Sequence, residues 1–140
     1  MIYSLKDIFI KNNSESVKHF VKDQMIHMYT KENNINHITL SSFSNIILEN
    51  NFYIKIDQKF NVYGIINYYI KQNLLGKDEC YIEQIIAKNQ EIKKELLEFC
   101  IHDIKKKCYQ VIVMCNIQDI ELYKKFDFQQ ENNIGMIKYF

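Results

Sequence analysis

The first third of the chain contains two segments whose apolar residues recur at the spacing of a helix. Residues 14–31 predict one helix, with Ser14 or Ser16 as its N-cap. Its apolar face would consist of Val17, Phe20, Val21, Met25 and Met28. Residues 41–50 predict a second, shorter helix, capped by Ser41 or Ser42, whose inward residues would be Phe43, Ile46 and Ile47.

The spacing of apolar residues then changes to that of β-strands. Residues 52–57 and 62–71 are rich in aromatic and β-branched residues, and the short turn QKFN separates them. This pattern predicts an antiparallel hairpin. A further strand is predicted at 80–87, apolar on both faces except at Glu83 and Gln84.

The rest of the chain alternates helices and strands. Residues 90–107 predict the clearest helix, with Asn89 as a possible N-cap. A strand at 109–115, a helix at 117–126 and a last strand at about 134–140 complete the series. The predicted fold class is therefore mixed α/β.

A ligand site is expected where two of these strands diverge. In α/β sheets, ligands bind beyond the carboxyl ends of strands, at the point where neighbouring strands separate. The two candidate edges are residues 85–87, at the end of one strand, and residues 114–116, at the end of the next.

Length and composition restrict the class of protein. With 140 residues, 47% of them hydrophobic, the chain can bury one core, so a single domain over residues 1–140 is expected. The formal net charge of +1, from 18 basic and 17 acidic residues, argues against nucleic-acid binding. The basic run 105–107 falls at a predicted helix end, where cations offset the helix dipole. The alternative interpretation of this basic run is that it lies beside a bound anionic ligand.

The absence of targeting signals and the pattern of cysteines favour the cytosol. No stretch approaches the roughly 18–20 apolar residues that a membrane span needs, and no secretory signal opens the chain. Cys80, Cys100, Cys108 and Cys115 have neither CxxC spacing nor histidines at zinc-site distances. We therefore expect four buried free thiols, no metal and a cytoplasmic location.

Short motifs in the second half of the chain resemble a known family. They are Ile82-Glu83-Gln84, Cys108-Tyr109-Gln110, Met114-Cys115, Leu122-Tyr123-Lys124-Lys125-Phe126-Asp127-Phe128 and Met136-Ile137-Lys138. Together they resemble the Gcn5-related N-acetyltransferase (GNAT) superfamily, and within it most the eukaryotic glucosamine-6-phosphate N-acetyltransferases. The resemblance extends over residues 37–140 and is clear from residue 80 onward.

The resemblance implies a fold and a co-substrate. The fold is a mixed twisted sheet flanked by helices, in which two parallel strands splay apart. Acetyl-CoA lies in that gap, and its pantetheine arm pairs with the backbone of the earlier strand. The cofactor-binding residues implied here are Ile85, Ile86, Ala87, Asn89, Glu91, Ile92, Lys93, Asn116 and Asp119.

The resemblance also implies two catalytic residues. Tyr123 would face the thioester sulfur, where a phenol can hydrogen-bond or protonate the leaving thiolate. Glu83 would hold the substrate ammonium group and accept its proton. For each residue a simpler interpretation stays open: Tyr123 packs in the core, and Glu83 is an exposed residue at a strand end.

The substrate implied by the resemblance is glucosamine 6-phosphate, acetylated on the route to UDP-N-acetylglucosamine. The residues that would contact it are Thr30, Lys71, Glu83, Gln84 and Lys138. Because the chain has no arginine, lysines would have to neutralise the phosphate as point charges. The family is dimeric, so a homodimer through the C-terminal strand, completing the partner's sugar site, is also implied.

The chain departs from the family pattern where the cofactor diphosphate would bind. Residues 88–93 contain no glycine, and this loop is several residues shorter than in the family. Asp119 stands where the family has asparagine, Gln84 where it has aspartate, and Asp127 where it has glycine. Two alternatives therefore stay open: a GNAT-like scaffold that has lost cofactor binding, and an acetyltransferase for another small amine.

Overall fold

The fold is mixed α/β in a computed structural model that describes residues 1–12, 14–34, 40–132 and 135–140. The strands are β1 (Ile2–Ser4), β2 (Asn51–Ile56), β3 (Val62–Gln72), β4 (Asp78–Ala87) and β5 (Gln110–Val113). The helices are α1 (Leu5–Lys11), α2 (Glu15–Glu32), α3 (Leu40–Glu49), α4 (Gln90–Ile104) and α5 (Ile120–Lys124), and a 3-10 turn at Ile117–Asp119 precedes α5.

The five strands form one sheet in the order β1-β2-β3-β4-β5. Strands β1 to β4 pair with their neighbours antiparallel, whereas β4 and β5 pair parallel. The predicted hairpin is confirmed as β2 and β3, and the chain between the two parallel strands forms α4. The sheet therefore has the mixed pairing that the sequence predicts.

Helices cover both faces of this sheet. α1, α2 and α3 pack on one face in a core that includes Phe43, while α4 and α5 pack on the other in a core that includes Leu96 and Tyr123. Successive residues of a strand point to opposite faces, and accordingly Ile65 belongs to the first core and Ile66 to the second. Among the described residues, no helix is long and apolar enough to cross a membrane.

The first eleven residues form two elements that the hydrophobic pattern does not predict. β1 adds an edge strand to β2, and α1 follows it directly. The Ser4 hydroxyl caps α1 by accepting a hydrogen bond from the amide of Asp7 at 3.2 Å, and Leu5 and Ile8 are buried. A strand of three residues and a helix of seven are too short to display a period.

The predicted apolar face of α2 is confirmed at Val21 and Met25, which are buried, and at Val17 and Met28, which pack partly buried against the same core. The prediction missed Tyr29, which is buried, and is wrong for Phe20, which is 45% exposed. The ring of Tyr29 packs edge-to-face on Phe43, with centroids 5.8 Å apart. Val21, Met25 and Tyr29, spaced four residues apart, form the buried stripe of the helix.

The predicted last strand at 134–140 is wrong for residues 135–140; residue 134 lies outside the described part. Those six residues have no strand partner, and Met136, Ile137, Tyr139 and Phe140 are each at least 75% exposed. Apolar and aromatic residues favour a strand only where a neighbouring strand or core covers them. Within one chain, no described strand pairs with the outer edge of β5.

The elements around β5 are shorter than predicted. Helix α4 ends at Ile104, and residues 105–107 form a turn. The predicted strand 109–115 pairs only over Gln110–Val113. The predicted helix 117–126 divides into the 3-10 turn and α5. The chain thus leaves the sheet after Val113, three residues before Asn116.

The expectation of four buried thiols is half right. All four cysteines are free; Cys80 and Cys100 are buried, Cys108 is half-buried and Cys115 is exposed. Cys115 is exposed because β5 has already ended at Val113.

Helix α4 approaches the sheet closely at Gly64 of β3. A Cβ at this position would lie 2.8 Å from both Ile92 Cγ2 and Leu96 Cδ1. Such distances are not tolerated in a packed interior, so the absent side chain sets how near the start of α4 comes to the sheet.

Gly64→Ala should therefore destabilise the fold by about 1–3 kcal/mol through overpacking. The free energy of unfolding from denaturant titration measures this. Gly135→Ala is the matched control, because nothing lies within 4 Å of a Cβ at Gly135. Equal stability of the two variants would contradict the close approach of α4.

Candidate functional site

The sheet opens between β4 and β5. Their parallel pairing runs from Glu79 opposite Gln110 to Ile82 opposite Val113 and stops there. β4 continues to Ala87 and pairs only with β3 over that length. Residues 83–87 therefore have no described strand on the side of β5, as the predicted splay of these strands requires.

A β-bulge lies where the two strands separate. Asn67 of β3 pairs with Gln84, and the next residue, Tyr68, pairs with Ile82, so Glu83 is an extra residue in β4. The bulge also shifts the phase of β4, because Ile82 and Ile85 both pack in the core beneath α4. Ile86 packs in the other core, so the segment is apolar on both faces because helices cover both faces of the sheet.

Glu83 is exposed on the bulge, and its carboxylate is held from β3. Asn67 Nδ2 donates a hydrogen bond to Glu83 Oε2 at 2.7 Å. The phenol of Tyr29 in α2 is also nearby: burial chiefly, and then the charge of Glu83, raise the pKa of Tyr29. Glu83 thus lies on the α2 side of the sheet with one oxygen bound.

Gln84 is bound by α2 rather than free for a ligand. Its amide exchanges two hydrogen bonds with Asn33, Gln84 Nε2 to Asn33 Oδ1 at 3.0 Å and Asn33 Nδ2 to Gln84 Oε1 at 3.3 Å. The C-cap of α2 is therefore tied to β4 next to Glu83.

Tyr123 lies on the opposite, α4 side of the sheet. Its ring is buried and packs edge-to-face on Phe128, with centroids 5.4 Å apart. Burial first, and then the nearby Cys115 and Asp119, raise the pKa of Tyr123. No hydrogen bond joins its hydroxyl to a described residue. The ring is therefore part of the core, as the simpler interpretation holds. The hydroxyl proton has no hydrogen-bond acceptor among the described residues.

The turn after α5 fixes that aromatic contact. Asp127 has φ of 63°, in the left-handed region that favours glycine. This backbone conformation brings Phe128 back towards α5, and its amide donates to the carbonyl of Tyr123 at 3.3 Å. Aspartate tolerates this conformation better than most residues with a Cβ.

The N-terminus of α4 follows β4 after only two residues, Lys88 and Asn89. The side chain of Asn89 caps the helix by accepting from the amide of Ile92 at 2.9 Å, as predicted. The amides of Gln90 and Glu91 are left without an intrahelical acceptor, and such amides favour anions.

A pocket of about 250 Å³ lies in front of this helix end, lined by Glu32, Ile85, Ala87, Lys88, Asn89, Gln90 and Lys93. It is smaller than the roughly 300–1,000 Å³ of pockets that enclose a whole ligand. It can therefore hold one group of a cofactor. A larger depression on α2, beside Lys18 and His19, lies away from the gap between the strands.

The cations near this pocket are already engaged. Lys93 Nζ lies 3.0 Å from Asp119 Oδ1, and the two side chains are only 14% and 18% exposed. Lys88 Nζ lies 4.5 Å from the ring centroid of Tyr63. Glu91 is exposed in the first turn of α4 and adds negative charge. A diphosphate here would have to compete with Asp119 for Lys93.

The residues implied as cofactor contacts differ in how accessible they are. Ile85, Ile86 and Ala87 lie along the open part of β4, where their backbone is available on the side of β5. Ile92 is buried under Gly64, whereas Asn116 is exposed just before the 3-10 turn. The backbone edge of the open strand is thus accessible, whereas Lys93 at the other end of the gap is held by Asp119.

No described contact joins three of the implied substrate residues to Glu83. The hydroxyl of Thr30 donates to the carbonyl of His27 in its own helix at 3.0 Å. Lys71 is exposed and pairs with Glu79 in register, near the far end of β3. Lys138 Nζ lies 5.1 Å from the ring centroid of Phe140 on the exposed C-terminal segment.

Sequence reasoning missed Asn67, which contacts Glu83 directly. It is a polar residue within the apolar run Ile65 to Tyr68, and it is 3% exposed. Its Oδ1 is buried and has no partner among the described residues. Leaving such an acceptor unpaired costs about 1–3 kcal/mol. An asparagine within a strand that is otherwise apolar is the signal that could have identified it.

Among the described residues, no group of three or more His, Cys, Asp or Glu side chains could hold a metal ion.

Solved structures with the same fold include acetyltransferases of different kinds. A glucosamine-6-phosphate N-acetyltransferase from Arabidopsis thaliana has a TM-score of 0.76 at 17% identity, covering 100% of this chain and 97% of that chain. An aminoglycoside acetyltransferase from an uncultured soil metagenomic sample, in complex with sisomicin, has a TM-score of 0.73 at 13% identity, covering 100% and 95%. A ribosomal-protein-alanine N-acetyltransferase from Brucella melitensis has a TM-score of 0.74 at 9% identity, covering 99% of each chain.

These similarities show that the chain has the GNAT fold. At sequence identities this low, the similarity shows the fold but does not show the substrate. No family model matches the chain, and no curated protein matches it significantly in sequence.

Proposed function

We propose that this chain is an acetyl-CoA-dependent N-acetyltransferase of the GNAT kind that acts on a small amine. The observation that carries the proposal is the gap between β4 and β5, with Glu83 at its start and Tyr123 on the far side of the sheet. The GNAT fold of the solved acetyltransferases that resemble it supports the same reaction class.

The open strand supports binding of an extended, amide-containing group. The backbone of residues 83–87 offers hydrogen-bonding groups that no described strand takes up on that side. Pairing with an exposed strand edge is a general way to bind an extended chain. The pantetheine arm of acetyl-CoA, which contains two amides, suits this edge.

The chemistry would proceed by direct attack. Glu83 holds the substrate ammonium group and takes one proton from it, and the resulting amine nitrogen bonds to the acetyl carbonyl carbon. The tetrahedral intermediate gives its second nitrogen proton to solvent water and breaks its carbon–sulfur bond, which releases the neutral amide and the CoA thiolate. Because the pKa of Tyr123 is raised, its phenol would donate a hydrogen bond to this thiolate and keep its own proton.

An acyl-enzyme on cysteine is disfavoured. Burial raises the pKa of Cys80 to about 12, and it also raises the pKa of Cys100, Cys108 and Cys115. A thiol must lose its proton to act as a nucleophile, so at neutral pH these residues are poor candidates.

Glucosamine 6-phosphate is the amine that we propose first. Its support is the motif resemblance between residues 80 and 138 and the similarity to the Arabidopsis thaliana structure. A cation for the phosphate would come from a second copy of the chain. The C-terminal segment with Lys138 is exposed and carries four apolar side chains, as a segment that docks on a partner would.

A second candidate function is a GNAT-like scaffold without turnover. The ion pair between Lys93 and Asp119 favours it, together with the absence of glycine between Ala87 and α4. Both features weaken the site for a diphosphate. Another small amine as substrate is equally compatible with the position of Glu83.

Titration of the purified protein with acetyl-CoA by calorimetry, followed by an acetyl-transfer assay, separates these functions. The expected result is saturable binding of acetyl-CoA and thiol release that depends on glucosamine 6-phosphate. Thiol release with glucosamine or another amine, but not with glucosamine 6-phosphate, would support acetyl transfer to a different substrate. Absence of acetyl-CoA binding would favour the scaffold.

Asp119→Asn should strengthen CoA binding about tenfold. The substitution frees Lys93 to contact the diphosphate, and one charge-assisted hydrogen bond is worth about 1.5–3 kcal/mol, at about 1.4 kcal/mol per tenfold change. Calorimetric dissociation constants for CoA provide the measurement.

The matched control is Glu121→Gln, which removes the same charge from an 80% exposed side chain that pairs with Lys124 and not with Lys93. If both variants change CoA affinity equally, overall charge and not the release of Lys93 is responsible.

Tyr123→Phe should lower the acetyl-transfer rate roughly 100-fold, as loss of a group that assists the leaving thiolate does. The dissociation constant of acetyl-CoA should stay nearly unchanged, because the ring remains packed on Phe128. Tyr3→Phe is the control, since the only hydrogen-bond partner of the Tyr3 hydroxyl among the described residues is Met1 Sδ, at 3.4 Å. An unchanged rate in Tyr123→Phe would mean that the thiolate leaves unaided or with another donor.

A further inference from the structure

Asn67 is the buried residue whose presence the fold does not explain. It is the polar side chain with 3% exposure in the middle of β3, between Ile66 and Tyr68. One end of its amide, Oδ1, is buried and unpartnered among the described residues. An apolar residue of the same size would fill this place without leaving an acceptor unpaired.

The other end of the amide makes a single, well-defined contact. Asn67 Nδ2 donates to Glu83 Oε2 at 2.7 Å, in the range of charge-assisted hydrogen bonds. Ionised carboxylates only accept, so the amide nitrogen must face Glu83 and the carbonyl oxygen must be the end left over. The orientation of this amide is therefore set by its hydrogen bond to Glu83.

The bulge makes this contact necessary. Asn67 lies opposite Gln84 in the register, and Glu83 is the residue that the ladder skips. A side chain on such an extra residue is exposed, and the pairing of the strand does not fix its direction. Gln84 is tied to Asn33, so it does not restrain the neighbouring carboxylate.

We propose that Asn67 is a positioning residue for Glu83. Its amide binds Oε2 and thereby directs Oε1 into the gap, where the substrate ammonium group would be held and deprotonated. This inference rests on the proposed acetyl transfer. Asn67 itself does not touch the reacting atoms, because its free oxygen is buried.

Asn67→Leu tests the role, because leucine matches asparagine in size and cannot donate. We expect kcat to fall roughly 10- to 100-fold, as misplacement of a catalytic group does. The KM for acetyl-CoA should change less than about twofold. The melting temperature should be unchanged or higher, since the unpaired acceptor is gone. A purely structural hydrogen bond predicts the reverse, a lower melting temperature and an unchanged kcat.

Gln24→Leu is the matched control for an amide that supports the fold. Both ends of the Gln24 amide bond to backbone, Nε2 to the carbonyl of Phe60 and Oε1 to the amide of Val62, each at 2.9 Å. Its loss should lower the melting temperature and leave kcat of the folded protein unchanged. The two variants should therefore show opposite patterns.

A double-mutant cycle shows whether Asn67 acts through Glu83. In the Glu83→Gln background, Asn67→Leu should reduce kcat no further. Additive losses of kcat would overturn the inference, and so would a normal kcat in the Asn67→Leu single variant. In both cases, turnover by the wild-type protein would leave the proposed function standing. If the wild-type protein binds acetyl-CoA and acetylates no amine, the proposed function fails and the positioning role fails with it.

Discussion

The extra residue that β4 carries at Glu83 is the constraint on which the rest of the site depends. Pairing with β5 ends at Ile82, the residue before it, and the strand then runs on beside β3 alone. The same insertion changes which residues face α4, so that Ile82 and Ile85 enter one core together. It also places a carboxylate outside the ladder at the point where the sheet opens. One bulge therefore creates the gap and provides its acidic group.

At the other end of the gap, beside the N-terminus of α4, the charged side chains Lys93 and Asp119 already pair with each other. Gly64 lets α4 pack closely on the sheet. The amides of Gln90 and Glu91 at the N-terminus of α4 have no intrahelical acceptor, and Lys93, which lines the same pocket, is held by Asp119. In the proposed function, the strength of diphosphate binding would therefore depend on these amides and on the exchange of Asp119 for the diphosphate at Lys93.

The sequence was sufficient for the elements that have a clear period and insufficient for those that depend on contacts. The β2–β3 hairpin and α4 follow from periodicity, and the strands at 80–87 and 109–115 follow from runs of apolar residues, although the second pairs only over Gln110–Val113. The motifs around Glu83 and Tyr123 indicate the fold and the parallel pairing through the family resemblance. The bulge could not be predicted, because a residue skipped by a ladder has no signature in a single sequence. The segment 135–140 reads as a strand by composition, yet one copy of the chain gives it no partner. The ion pair of Lys93 joins residues 26 positions apart, and no spacing rule connects them.

Two unsatisfied features of the structure support the proposed site. Along residues 83–87, no described strand takes up the backbone groups on the side of β5, and an exposed strand edge within a fold favours pairing with another chain or ligand. Asn67 leaves a buried oxygen without a partner in order to hold Glu83. Each feature lowers stability, and a chain that needed only the scaffold would be more stable with the strands closed and an apolar residue at Asn67. The site therefore makes physical sense as one in which stability has been given up for binding and for the placement of a carboxylate.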